Sequence, residues 1–193
     1  MTKILLVFHT SEGQTARIAD HVAAVLRELG DEVEVHDVAG APAPDGYDAV
    51  IVGDSIHAVH HSRALTRYVR DHVATLNALP AALFQVSLTS TNPDEEHTAT
   101  AQGMVHEFLD RTGFDPDIVG LFAGALVYTQ YGWLKGRIMR SIVKREGGDT
   151  DMSRDYEYTD WDAVDAFGAD LVALAQHRSS VRASAADLGD RAP

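Results

Sequence analysis

The sequence contains no cysteine. Disulfides, thiolate nucleophiles and cysteine-ligated zinc or iron–sulfur centres are therefore excluded, and a reducing cytoplasm is the expected compartment. It has no run of about 18 apolar residues, so no transmembrane helix is expected. The start, Met1-Thr2-Lys3 followed at once by Ile4-Leu5-Leu6-Val7-Phe8, is too short for a signal peptide and reads as a first strand. Lysine is scarce: three of sixteen basic residues (Lys3, Lys135 and Lys144) against twenty-nine acidic ones, for a net charge of -13. Such an excess argues against nucleic acid as the main partner. It is also the style of salt-adapted surfaces. What is present is 193 residues with 45% hydrophobic content, enough for one α/β domain with a continuous core and a modest insertion.

Apolar runs and helical periodicities alternate along the chain. Residues 3–8 form an apolar run suited to a strand buried on both faces. Ile18, Val22, Val25, Leu26 and Leu29 follow at helical spacing, with Gly30 as the stop. Strands are expected at Glu32–Val38, Tyr47–Val52 (ended by Gly53), Ala82–Leu88 and Ile118–Leu126. Leu65, Tyr68, Val69, His72, Val73 and Leu76 mark a second helix, and Glu95–Arg111 a third. A last helix is expected over Asp160–His177, capped by Asp160, with Trp161, Val164, Phe167, Leu171 and Leu174 inward. This alternation implies a doubly wound α/β fold: a five-stranded parallel sheet of order 2-1-3-4-5 with helices on both faces. Residues 1–177 form a single domain with an insertion at about 127–157. Residues 178–193, rich in Ser, Ala and Asp, read as a disordered tail.

In such sheets ligands bind at the carboxyl ends of the strands. The first such end is His9-Thr10-Ser11-Glu12-Gly13-Gln14-Thr15. Thr10, Ser11 and Thr15 offer hydroxyl donors, Gly13 permits close backbone approach, and the next helix presents free N–H groups at its positive end. This is an anion site that needs no lysine. It matches neither GxGxxG nor GxxxxGK[ST], which removes support from dinucleotide and nucleoside-triphosphate binding. A plain helix cap with extra hydroxyls is the bland alternative; the position straight after the first buried strand favours the anion.

The insertion carries its own pattern. Leu134, Ile138 and Ile142 share one helical face, while Arg137, Arg140 and Lys144 share another. With Lys135 and Arg145, five basic residues fall within eleven positions of an acidic chain. A basic amphipathic helix suits an anionic membrane surface or a carboxylate-bearing substrate, against the alternative of a solvated face over packed apolar residues. His57, His60 and His61 cluster beside Asp54. No metal site is expected there, since zinc usually needs four ligands in fixed geometry. A substrate contact from one of these histidines is the stronger reading.

The segment from Leu5 to Thr15 resembles the flavodoxin phosphate loop. The resemblance implies that Thr10, Ser11, Glu12, Gly13, Gln14 and Thr15 hold the phosphate of FMN. It further implies that the next strand ends, Asp54-Ser55-Ile56-His57 and Ser87-Leu88-Thr89-Ser90, flank the isoalloxazine ring. Tyr128 and Tyr131 would lie near that ring or simply pack. The later pieces are more specific. Gly124-Ala125-Leu126, Tyr128, Tyr131 and Trp133, then Gly147-Gly148-Asp149-Thr150-Asp151 and Tyr158-Thr159-Asp160-Trp161, resemble the flavodoxin-like, menaquinone-dependent protoporphyrinogen IX dehydrogenases.

That likeness implies oxidation of protoporphyrinogen IX in three two-electron steps, in heme biosynthesis, with menaquinone as acceptor. It places Trp133, Lys135, Arg137, Arg140 and Lys144 against substrate or membrane, peripherally on the inner face of the cell membrane. His57 is the candidate to accept a substrate N–H proton. Two loops depart from the family pattern: the histidine-rich one after strand three, and the acidic Thr91-Asn92-Pro93-Asp94-Glu95-Glu96-His97 after strand four. They fit either salt adaptation or a different substrate. A flavodoxin electron carrier and an NAD(P)H:quinone reductase of the same fold remain open at this point.

Overall fold

The computed structural model describes residues 1–57, 59–91, 94–126, 151 and 153–189. The first half reads β1 (Lys3–His9), α1 (Gln14–Glu28), β2 (Glu32–Asp37), β3 (Ala49–Ser55) and α2 (Arg63–Leu76). Then follow β4 (Ala81–Ser87), α3 (Glu95–Thr112), β5 (Ile118–Ala123), β6 (Ala125–Leu126), β7 (Tyr156–Glu157) and α4 (Trp161–Gly189). The main sheet has the order β2-β1-β3-β4-β5, and every neighbouring pair is parallel.

Strand alternation sorts the core into two layers. Ile4 and Leu6 of β1, Ala49 and Ile51 of β3, and Ala82 and Phe84 of β4 face α1 and α4, where Ile18, Val22, Leu26, Val164, Phe167 and Leu171 meet them. Leu5, Val7, Val50, Val52 and Leu83 face the other way, onto Leu65, Val69 and Leu76 of α2 and Val105 and Phe108 of α3. With both faces covered, the three central strands are apolar almost throughout, as a parallel sheet requires.

Most strand ends shift by one or two residues from the sequence reading, β3 for example starting at Ala49 and not Tyr47, and three boundaries differ with consequences for the site or the core. Gly53 does not end β3: the strand runs through it to Ser55. Gly53 is instead the floor beneath Phe84, its register partner on β4, whose ring also meets Phe122 and Phe167 at 5.9 and 6.0 Å. A β-carbon at position 53 would fall inside that ring. The fifth strand does not run to Leu126. It breaks at Gly124, and Ala125–Leu126 leaves the sheet to pair antiparallel with Tyr156–Glu157. Finally, α4 continues to Gly189 instead of stopping at His177. Residues 178–188 contain neither Gly nor Pro and are rich in Ala, so backbone propensity carries the helix where the apolar stripe has run out. Leu29, expected inward, is the C-cap of α1 and is exposed.

At the β1–β2 edge, Glu34 accepts hydrogen bonds from Tyr47 Oη (2.7 Å) and Lys3 Nζ (3.0 Å), with His36 Nε2 at 3.4 Å. Tyr47 first, then Lys3 and His36, hold its carboxyl down at about 2, against an ordinary 4.5. A carboxylate lowered in the folded state contributes stability above its unfolded value, and that contribution is lost as pH falls toward the folded one. The wild-type unfolding midpoint should therefore decline between about pH 4.5 and 2, and Glu34→Gln should flatten that part of the curve. Gly53→Ala should lower stability by about 1–3 kcal/mol by overpacking against Phe84, measured by denaturant unfolding.

Candidate active site

The carboxyl ends of β1, β3, β4 and β5 open onto one shallow cleft with a cavity volume of about 90 Å³. Thr10, Ser11, Glu12, Gln14 and Thr15 line it from the β1–α1 loop, and Ser55, Ile56 and His57 from the β3–α2 loop. Val86, Ser87 and Leu88 come from the end of β4, and Gly124 and Ala125 from the break after β5.

The β1–α1 loop is built to leave a helix end open. Gly13 precedes α1 at φ +91°, a left-handed turn that glycine adopts without strain. No side chain caps α1. Each other described helix has such a cap: Ser62 accepts from Leu65 N–H, Asp94 from His97 N–H and Asp160 from Ala163 N–H. There is also no acidic residue in the first turn of α1, so its positive end is turned to the cleft, with Glu12 of the preceding loop on the same lining. Thr15 is 1% exposed, and its hydroxyl has no hydrogen-bond partner among the described residues. A buried hydroxyl without a partner is costly; here it sits on the lining of the cleft. Thr10 Oγ1 accepts from Gly13 N–H (2.9 Å) and sets the turn. Ser11 N–H donates to Ser55 Oγ (3.1 Å) and ties this loop to the end of β3.

The β3–α2 loop is held from beneath. Asp54 and Gln85 are register partners on the α2/α3 face of the sheet, and both are fully buried. His61 reaches them both, with Nδ1 3.1 Å from Asp54 Oδ2 and Nε2 3.0 Å from Gln85 Oε1. Gln85 Nε2 donates to Ala101 O (3.2 Å), which turns its Oε1 toward His61 as an acceptor. Ser62 N–H donates to Asp54 Oδ2 (2.7 Å), and the His61 ring lies on Phe108 at 4.3 Å.

Asp54 is thus placed behind the loop and is not among the residues lining the cleft. His57 and His60 pair through their backbones (3.1 and 3.2 Å), which leaves the exposed His57 at the mouth. After β4, Ser87 Oγ accepts from Ser90 N–H (3.2 Å), and Thr91 Oγ1 donates to Leu88 O (2.7 Å). Thr89 and Ser90 belong to this compact turn without lining the cleft. Tyr128, Trp133, Lys135, Arg137, Arg140 and Lys144 lie outside the described residues.

The chain returning from the insertion is fastened to the phosphate-loop helix, which the sequence reading missed. Gln14 Nε2 donates to Thr159 Oγ1 (2.8 Å) and Glu157 Oε1 (3.2 Å), and Arg17 pairs with Glu157 at 3.2 Å. Thr159 Oγ1 donates in turn to Ala123 O (2.9 Å). No local pattern announces this, because its partners lie some 140 residues apart. Val86, Gly124 and Ala125 were also missed as lining residues; a glycine near the end of the expected fifth strand was the one available sign.

The flavodoxin-domain family matches residues 5–153. The protoporphyrinogen IX dehydrogenase (quinone) of Escherichia coli strain K12 is 34% identical, over 89% of this chain and 96% of its own length. The chain belongs to this flavodoxin-domain family of dehydrogenases. Its Leishmania major relative of the same name is 37% identical over 89% of this chain and 75% of its own. Oxidised flavodoxin 1 of Bacillus cereus superposes with a TM-score of 0.54 at 20% identity, covering 89% of this chain and 97% of its own. For a chain of this family, the open helix end and the partnerless Thr15 hydroxyl fit the phosphate of a flavin.

Thr15→Val keeps the branched shape and removes the hydroxyl. It should weaken FMN binding by about tenfold, the loss of roughly one charge-assisted hydrogen bond. Binding of riboflavin, which has no phosphate, should not change; flavin fluorescence titration measures both.

Proposed function

We propose that this protein is an FMN-dependent oxidoreductase that oxidises protoporphyrinogen IX to protoporphyrin IX, with a quinone as acceptor. The supporting observation is the near full-length likeness to dehydrogenases of that name, which takes in the cleft-forming loops. The geometry adds a phosphate site of the right character at the end of β1.

In this reading Thr10, Ser11, Glu12, Gly13, Gln14 and Thr15 hold the FMN phosphate through hydroxyls and the N–H groups of the first turn of α1. The backbones of Ser55, Ile56 and His57 on one side and Ser87 and Leu88 on the other flank the ring, with Thr89 and Ser90 fixing the second of these loops. Asp54 acts through His61 and Ser62 as a positioning residue. FMN, when bound, supplies the two-electron chemistry that links substrate to quinone. The substrate loses six electrons and six protons in three rounds. His57, exposed at the mouth, takes an N–H proton on an imidazole nitrogen and releases it to water.

No helix among the described residues is long and apolar enough to cross a membrane. Trp133, Lys135, Arg137, Arg140 and Lys144 are assigned to peripheral contact with the anionic bilayer that holds menaquinone. Tyr128 is assigned to the neighbourhood of the ring.

FMN-loaded protein given protoporphyrinogen IX and a menaquinone analogue should produce porphyrin fluorescence faster than spontaneous oxidation. A rate equal to the spontaneous one would leave an electron carrier, and consumption of NAD(P)H would point to a quinone reductase. His57→Ala should lower kcat by about a hundredfold at unchanged FMN occupancy; an unchanged rate removes His57 from the chemistry.

A further inference from the structure

A second depression lies on the α2/α3 face, immediately beyond the histidine turn. It is open to solvent, has a cavity volume of about 590 Å³, and is lined by His60, Arg63, Arg67, Arg70, Arg111 and one acid, Asp71, among others. Arg63, Arg67 and Arg70 stand at i, i+4 and i+7 on one face of α2, and Arg111 comes from the last turn of α3. All four are exposed. Arg67 is 3.6 Å from Asp71, and Arg111 3.3 Å from Glu107. Both are solvent-exposed pairs of the weak kind that a competing carboxylate exchanges readily. Arg63 and Arg70 make no ion pair among the described residues.

This bay adjoins the flavin cleft. His57 lines the cleft and His60 the bay, and the two are hydrogen-bonded to each other through their backbones. A single turn separates the two hollows. Val59, on that turn, is held in the left-handed region at φ +61° with 58% of its surface exposed. A branched apolar residue strained outward at this point presents a greasy rim between a redox cleft and a ring of guanidinium groups. The surface is amphipathic in one direction: apolar toward the flavin, cationic away from it.

We propose that this arginine bay binds the two propionate carboxylates of the tetrapyrrole substrate, so that the macrocycle lies across the Val59 turn with its reacting face at the cleft. The inference rests on the substrate proposed above and adds its mode of recognition. Guanidinium groups meet carboxylates in a planar, two-point geometry, which suits arginine over lysine. In a chain of charge -13, the bay supplies a local field of opposite sign beside the cleft, which favours the approach of a dianionic substrate. A bilayer surface is the competing occupant; concavity and contiguity with the cleft favour the small dianion.

The experiment compares protoporphyrinogen IX with its dimethyl ester, which keeps the ring and loses both charges, in the wild type and in the Arg67→Gln/Arg70→Gln variant. Wild-type KM should be about tenfold lower for the diacid. The variant should raise KM for the diacid by about that factor, leave KM for the ester where it was, and retain FMN. A readout independent of turnover is the anisotropy of added protoporphyrin IX and of its dimethyl ester. The wild type should bind the diacid more tightly and the variant should bind both alike.

Equal wild-type affinities for diacid and ester overturn the inference. So does a variant that loses binding to phosphatidylglycerol vesicles while still preferring the diacid. If the wild type turns over neither compound yet binds the diacid selectively, the proposed reaction fails and the bay stands.

Discussion

Asp54 and Gln85 sit side by side in an otherwise apolar face of the sheet, and His61 offsets much of the cost by bonding to both, although Asp54 Oδ1 has no partner among the described residues. Polar groups taken out of water cost several kcal/mol when left unpaired, roughly 2–7 by transfer measurements. The backbone must therefore return to within reach of them after leaving β3. That requirement makes the β3–α2 segment a short, closed turn. It also presses the His61 ring onto Phe108, sets Ser62 to cap α2, and brings Arg63 to the edge of the turn. The mouth of the cleft and the cationic bay are two sides of this one constraint.

The β1–α1 loop is held differently, by leaving things undone. An uncapped helix end, no acid in its first turn and a buried hydroxyl without a partner are all small costs to the folded chain. Together they are one anion's worth of unmet hydrogen bonding. The starts of α2, α3 and α4, by contrast, are each capped by a side chain. The serine pair Ser11 and Ser55 then couples the open loop to the turn supported by His61.

The architecture was legible because a parallel sheet covered on both faces must be written as apolar runs, and Ile4–Phe8, Ala49–Val52 and Ala81–Phe84 are such runs. The phosphate loop was legible because its residues are contiguous. Gly53 misled because a glycine that ends a strand and one that admits a neighbouring ring look identical in one dimension. The three histidines looked like a cluster, yet the structure turns His61 inward and leaves His57 and His60 outside. Only the polarity of the strand residues at 54 and 85 hinted at that division. The arginine bay was invisible for a plainer reason: Arg111 is distant in sequence from the α2 arginines, and charge on a helix face carries no meaning until the opposing helix is placed. The length of α4 was missed because the apolar stripe stops before the helical propensity does.

The β6–β7 pairing brings Leu126 and Tyr156 into register, so residues 127–155 leave and re-enter the fold at nearly the same point. Closing a chain segment at its base makes the cost of lengthening it small, about 0.6 kcal/mol for each doubling of a loop. A change in the number of residues between Leu126 and Tyr156 would therefore leave the register of the main sheet, and the cleft at its carboxyl end, where they are.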